Sequence, residues 1–303
     1  MVNDACFFLK ISELALSLDA RHLNRKFDLP SVYHKFIMHA EESQPVNADD
    51  DQMHEKFPSN LLRLIMLDTP QRVRKSEGSC LITTPNWELW ENESGGYLFL
   101  TRRQSPACGI AVDQRFSTGE VFSDFSSPKQ GGAVLFQGLD LKLYVNWLGC
   151  FGDLILHASG VSESGQGYCF AGVSGVGKST LAEALVNHHA VQILGEDHII
   201  LRYIGGHFWV FGSPWHENPA MCAPNRAPLQ KLFFLDRQAE VGIHAIKPIE
   251  GVQRLLQTAL IPYYRPAIVA KILDRLTLLA NQVSFFTLNY ELGQDMWEQI
   301  KTV

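Results

Sequence analysis

Apolar and polar positions divide the chain into two stretches of different rhythm. Across positions 7–146, short apolar or alternating segments are separated by turn residues, and long helical stripes are few. This rhythm predicts a mainly β region. Positions 79–84, 97–101 and 110–113 read as strands, with Ser94-Gly95-Gly96 and Ser117-Thr118-Gly119 as hairpin turns. From residue 141 onward strand and helix patterns alternate, as in an α/β domain, which divides the chain into 1–140 and 141–303. Strands are expected at 154–157, 168–171, 191–194, 199–203, 207–211, 232–235 and 283–288. Val252, Leu255, Leu256 and Ala259 form one helical stripe, and Ile268, Ile272, Leu276 and Leu279 another. Their spacing of three and four makes them core-facing. A short helix closes the chain, and no internal repeat occurs.

Between the strand at 168–171 and a helix carrying Leu181, Ala184 and Leu185 on one stripe lies GVSGVGKS. Its residues are Gly172, Val173, Ser174, Gly175, Val176, Gly177, Lys178 and Ser179, followed by Thr180. The segment matches the phosphate loop G-x-x-x-x-G-K-[ST] at every defined position, in the required order of strand, loop and helix. Glycines let the backbone curl with its N–H groups inward, and the helix N-terminus adds positive potential. Lys178 is expected to reach the β- and γ-phosphates of a nucleotide, while Ser179 offers a hydroxyl to Mg²⁺.

A phosphate loop does not distinguish kinases from other nucleotide-binding proteins, so the second acid matters. Two candidates exist. The pair Glu196-Asp197 lies in ILGEDHIIL, on the element following the loop's helix, and Asp236 closes the apolar run KLFFLD. The pair is favoured because phosphoryl transfer to a hydroxyl has two uses for acids: one holds metal and the other takes the acceptor's proton. The chain has no N-K-x-D segment for reading guanine, which argues against a GTPase. Arg226, in APNRAP, is either a clamp for an anion or a solvent-facing loop residue. Trp215 and His216 either line an acceptor or base pocket or simply pack. The acidic stretch 41–55, with Asp49, Asp50 and Asp51 in a row, reads as a solvated loop rather than a metal cluster.

Composition adds limits. The 303 residues are 46% hydrophobic and 19% charged, with a net charge of −6, typical of a globular protein and poorly suited to binding nucleic acid through its phosphates. The six cysteines include no C-x-x-C pair, which argues against a zinc site and a dense disulfide framework. Neither a leader pattern nor a membrane-length apolar run is present, so a cytoplasmic protein with no membrane partner is expected.

Taken together these residues resemble the HPr kinase/phosphorylase superfamily, whose kinase domain is related to phosphoenolpyruvate carboxykinase. The likeness rests on Leu-His-Ala-Ser at 156–159, the phosphate loop, the acidic pair one helix later, and Gly-Ser-Pro-Trp at 212–215. It covers 147–303. It implies an α/β P-loop kinase domain of the HPr kinase/phosphoenolpyruvate carboxykinase-like type, preceded by a mainly β N-terminal region suited to substrate or partner recognition. It further implies that His157 lies near the phosphates, that one acid of Glu196-Asp197 is the base and that the other holds metal. Authentic HPr kinases carry two aspartates at the pair, and their downstream glycine-rich signature is not found here; the chain looks more like the broader HPr-kinase-related group. The expected activity is transfer of the γ-phosphoryl of ATP, with Mg²⁺, to a hydroxyl: serine of a peptide or protein, or a small molecule. The expected roles are Lys178 and the loop for phosphates, Ser179 and Asp197 for metal, and Glu196 for the acceptor. Self-association is plausible by the same likeness. An NTPase switch using Asp236 and a nucleotide-binding module without turnover remain as alternatives.

Overall fold

The computed structural model describes residues 6–23, 27–38, 59–68, 78–102, 108–123, 138–216, 218–291 and 295–303, apart from the side chain of His188. The acidic stretch 41–55 lies outside them. The chain divides into two compact units, Met1–Phe151 and Gly152–Val303.

In the first unit the described strands are β1 (Cys6–Ile11), β2 (Leu14–Asp19), β3 (Leu61–Leu67), β4 (Gly78–Thr83), β5 (Trp87–Asn92), β6 (Tyr97–Thr101), β7 (Gly109–Val112) and β8 (Thr118–Phe122). They form one sheet in the order β1-β2-β3-β8-β7-β6-β5-β4. Period-two patterning sets the inward face: Leu62, Leu64 and Met66 of β3 are buried, while Arg63 and Ile65 between them face water. Helix α1 (Asp140–Cys150) buries Leu143, Tyr144, Trp147 and Leu148, and Trp147 donates its indole N–H to the Ser59 carbonyl at 2.6 Å. The turn expected at Ser117-Thr118-Gly119 falls earlier. Asp113 accepts from the N–H groups of Arg115, Ser117 and Thr118, so the chain has already reversed when β8 begins.

The second unit contains β9 (Leu154–Glu163), β10 (Gln166–Ala171), α2 (Lys178–His188), β11 (Gln192–Gly195), β12 (His198–Ile204), β13 (His207–Phe211), β14 (Arg226–Leu235), β15 (Gly242–Ala245), α3 (Pro248–Thr258), β16 (Ala259–Leu260), α4 (Pro266–Gln282), β17 (Ser284–Asn289) and α5 (Trp297–Thr302). Its sheet runs β10-β9-β12-β13-β14-β17-β15, and β14 also pairs with β10, so five strands close into a barrel. This overturns the expectation of an α/β P-loop kinase domain behind a mainly β region. Strand outweighs helix among the described residues, and both units are built on sheets.

The physical cause lies in two turns. Ser164 and Gly165 have φ of 50° and 78°, and Gly205 and Gly206 have 61° and 87°. Positive φ at both central residues makes the tight turn that matches strand twist, so β9–β10 and β12–β13 are antiparallel hairpins rather than crossover pairs. β11 returns antiparallel onto β9 after α2. Parallel pairing survives where β14 lies beside β10 and β17 beside β14.

The core of this unit gathers Phe170, Leu181, Leu185, Phe233, Leu288, Trp297 and Ile300. The stripe Ile268, Ile272, Leu276 and Leu279 of α4 is buried as its spacing predicts. No described helix is long and apolar enough to cross a membrane.

Candidate active site

The phosphate-loop segment leaves β10 at Ala171 and enters α2 at Lys178, at the carboxyl end of a strand whose parallel neighbour is β14. Ligands of parallel strands gather at that edge. Gly175 and Gly177 have φ of 79° and 109°, which a side chain at either position would strain. Val173, Ser174 and Gly175 are exposed, so the mouth of the loop is open to solvent.

Lys178 is buried, and its ammonium donates to the carbonyls of Gly172 at 2.9 Å and Val173 at 3.1 Å and to Nε2 of His157 at 3.0 Å. An ammonium has three protons, so all are engaged. Burial lowers its pKa, opposed by the Asp197 charge.

Since Nε2 of His157 accepts, its proton is assigned to Nδ1, which donates to Asp197 Oδ1 at 2.9 Å. Burial first, and the Lys178 charge second, hold this imidazole below its ordinary pKa and therefore neutral. The other oxygen, Asp197 Oδ2, lies 3.0 Å from Nδ1 of His198. That hydrogen bond is the main cause of the lowered Asp197 pKa, so the carboxylate is ionised.

Backbone contacts fix the turn holding the acid pair. Ala158 donates to the Asp197 carbonyl at 3.1 Å, and the Ser159 hydroxyl donates to the Glu196 carbonyl at 2.8 Å. The Asp197 N–H donates to Nδ1 of His216 at 3.2 Å. The His216 Nε2 lies 3.4 Å from the Ser213 hydroxyl, which donates to the His198 carbonyl at 2.6 Å. Gly195 makes room for that ring, since a Cβ there would approach His216 Nε2 to 2.8 Å.

Lys178, His157 and Asp197 are thus joined in one hydrogen-bonded line, with Glu196 adjacent. Ser179 and Thr180 are exposed in the first turn of α2, outside that line. His157, Asp197 and His198 place one ligand atom each within 4.8 Å of one another, close enough to share a metal ion. Asp236 does not join the line. It pairs with Arg254 at 3.3 Å and caps the Gln238 N–H at 3.0 Å. Arg226 starts β14, roughly 30 Å along the strand from its loop end, with its guanidinium 4.5 Å from the Trp209 ring centroid. Trp215 is buried, and its carbonyl lies 3.2 Å from His198 Nδ1.

No family model and no curated protein matches the chain. Among solved structures it is similar to the Hpr(Ser) kinase/phosphatase from Coxiella burnetii, at 13% identity and a TM-score of 0.31, over 49% of this chain and 86% of that one.

Three further residues of the site escaped the sequence reading: His198, Arg237 and Tyr290. His198 was visible beside the acid pair in GEDHII, as a polar residue opening an apolar strand. Arg237 donates to the Val176 carbonyl at 3.1 Å, and Tyr290 donates to the Gly177 carbonyl at 3.1 Å. Nothing local in the sequence marks these two.

Proposed function

We propose that this protein is an ATP- and Mg²⁺-dependent phosphotransferase that moves a γ-phosphoryl group to a hydroxyl, with serine of a peptide or protein as the favoured acceptor. The observation carrying this reading is the hydrogen-bonded line from the loop lysine Lys178 through His157 to Asp197, with a second acid, Glu196, beside it. A phosphate nest that only binds nucleotide has no need of such a line at its lysine.

The Ser179 hydroxyl and the partly exposed Asp197 carboxylate are hard oxygen donors of the type Mg²⁺ takes. When bound, the ion supplies charge neutralisation across the β- and γ-phosphates. Backbone N–H groups of 172–177 face the phosphates, apart from that of Val176, which donates to the Val173 carbonyl at 3.3 Å, and Lys178 exchanges one of its present acceptors for a phosphate oxygen. Asp197 is pinned by two imidazoles and held ionised, which suits holding a cation, and the Ser159 hydroxyl donates to the carbonyl of the neighbouring Glu196. With Asp197 committed to the imidazoles and the cation, the second acid of the pair, Glu196, is assigned the base. The acceptor oxygen bonds to the γ-phosphorus as the bond to the bridging oxygen breaks, ADP departs, and the acceptor proton passes to the Glu196 carboxylate.

Isothermal titration with ATP and Mg²⁺, beside Lys178→Ala, tests the site, and transfer of labelled phosphate from ATP into a cell extract tests the reaction. Binding that depends on Lys178 together with labelling that depends on Glu196 supports the kinase. Binding without turnover in any extract would reduce the protein to a nucleotide-binding module.

A further inference from the structure

Two residues brought to the loop from distant parts of the chain act on its backbone. Arg237 lies two residues past the end of β14, and Tyr290 follows directly after β17. Arg237 Nε donates to the Val176 carbonyl at 3.1 Å, and its Nη1 donates to the Tyr290 carbonyl at 2.6 Å. Its guanidinium lies 4.7 Å from the centroid of the Tyr290 ring. The Tyr290 hydroxyl in turn donates to the Gly177 carbonyl at 3.1 Å, beside the helical bond from the Leu181 N–H at 2.9 Å. A three-cornered brace results, joining the loop to the ends of two strands.

Peptide planarity gives this brace a function. In a trans peptide the N–H points opposite to the C=O. Holding the Val176 carbonyl against Arg237 turns the Gly177 N–H the other way, and holding the Gly177 carbonyl against Tyr290 does the same for the Lys178 N–H. These are two of the donors through which a phosphate loop grips its ligand. The Arg237 Nη2 also crowds Gly177, where a Cβ would come within 2.7 Å of it, so a permanent positive charge sits against the back of the nest.

We propose that Arg237 and Tyr290 are positioning residues of the phosphate site: they aim the Gly177 and Lys178 N–H groups at the bound polyphosphate, and Arg237 adds charge behind them. The inference rests on the loop being a phosphate site. It concerns the phosphate chain alone, so it applies equally to ATP and to inorganic tripolyphosphate.

The test is titration calorimetry of wild type, Arg237→Lys, Arg237→Gln and Tyr290→Phe with ATP plus Mg²⁺ and, separately, with tripolyphosphate. Thermal denaturation and ¹⁵N-resolved amide spectra are recorded on the same samples. Arg237→Gln is expected to weaken both ligands by a similar factor of about tenfold or more, because the charge behind the nest and the charge-assisted hydrogen bonds to the Val176 and Tyr290 carbonyls are lost. Arg237→Lys falls between it and wild type, since lysine restores the charge without the fork. Tyr290→Phe weakens binding by a smaller factor. The Gly177 and Lys178 amide resonances, which move on ligand addition in wild type, move less in Arg237→Gln. That readout is one a purely structural role leaves untouched. Wild-type binding with unchanged affinities in all three variants, even with lowered melting temperatures, overturns the brace and leaves the phosphate site standing. If wild type binds neither ligand, the phosphate site itself falls and the brace falls with it.

Discussion

Lys178 and His157 share a hydrogen bond of 3.0 Å in which the ammonium is the donor and the imidazole the acceptor. The lysine charge is the second of the forces holding His157 below its ordinary pKa, after burial. Replacing it by a neutral side chain of similar length therefore raises the His157 pKa without bringing it fully to the ordinary value. In Lys178→Met this rise is expected in an NMR titration of the His157 ring protons. ATP affinity should fall about tenfold or more in the same variant, as one charged contact to phosphate is lost. An unchanged His157 pKa would mean that the contact does not persist in solution.

The two acids should separate in their effects. The Ser159 hydroxyl bonds the Glu196 carbonyl, so Glu196→Gln keeps that hydrogen bond and the turn that it fixes. Nucleotide binding is expected to survive while phosphoryl transfer drops ~100-fold or more, as for loss of a general base. Asp197→Asn differs because the carboxylate serves two imidazoles at once. Its amide presents an N–H to one of them, forcing that ring to change tautomer or turn away. Weakened Mn²⁺ binding, read by electron paramagnetic resonance in the presence of ADP, is the expected outcome; equal Mn²⁺ affinity in Asp197→Asn would remove Asp197 from the metal site.

The strand, turn and helix around 172–179 were legible in the sequence because their constraints are local: Gly175 and Gly177 occupy positive φ, and the flanking apolar segments become β10 and α2. The topology was not. Ser164-Gly165 and Gly205-Gly206 each decide whether two apolar segments pair antiparallel, and a reading attentive to apolar segments alone takes them for crossover partners. Segment 154–157 looked like a short strand, yet β9 runs to Glu163, where buried serines and a glycine interrupt its apolar signal. The acid pair was found by its polarity among apolar neighbours. The supports of the loop were hidden, since Arg237 lies 61 residues and Tyr290 113 residues from the loop atoms they hold. Such contacts are set by strand ends meeting in space, which local patterning does not encode.

Helix α5 is fastened at several points. Trp297 is fully buried, its ring meets Tyr168 edge to face at 5.0 Å, and its N–H donates to Glu163 at 2.9 Å. Lys231 takes the carbonyls of Ile300 at 3.1 Å and Lys301 at 2.6 Å, capping the helix end. Trp297→Ala should cost about 3–5 kcal/mol in urea denaturation, and Trp297→Phe about 1–3 kcal/mol, because it fills much of the volume but loses the Glu163 hydrogen bond. Equal costs for the two would assign the whole effect to the hydrogen bond and none to volume.

His216 gives stability a pH dependence of defined sign. Burial, assisted by the neighbouring His198, pushes its pKa down from 6.5 to about 4. Between those values the unfolded chain binds more protons than the folded one, so stability rises with pH across the window. The contribution is fully present above about pH 6.5 and is lost as pH falls towards 4. For such a shift the loss is on the order of 3 kcal/mol. The cause is geometric: Nδ1 accepts the Asp197 N–H, so a proton added there meets a donor and releases the turn carrying the acid pair. His216→Asn offers an amide oxygen to the same N–H but does not titrate. Its denaturation midpoint is therefore expected to vary less than that of wild type between pH 6.5 and 4, and the two curves should draw together at the acid end. Parallel curves for the two proteins across this window would show that His216 is not the group responsible.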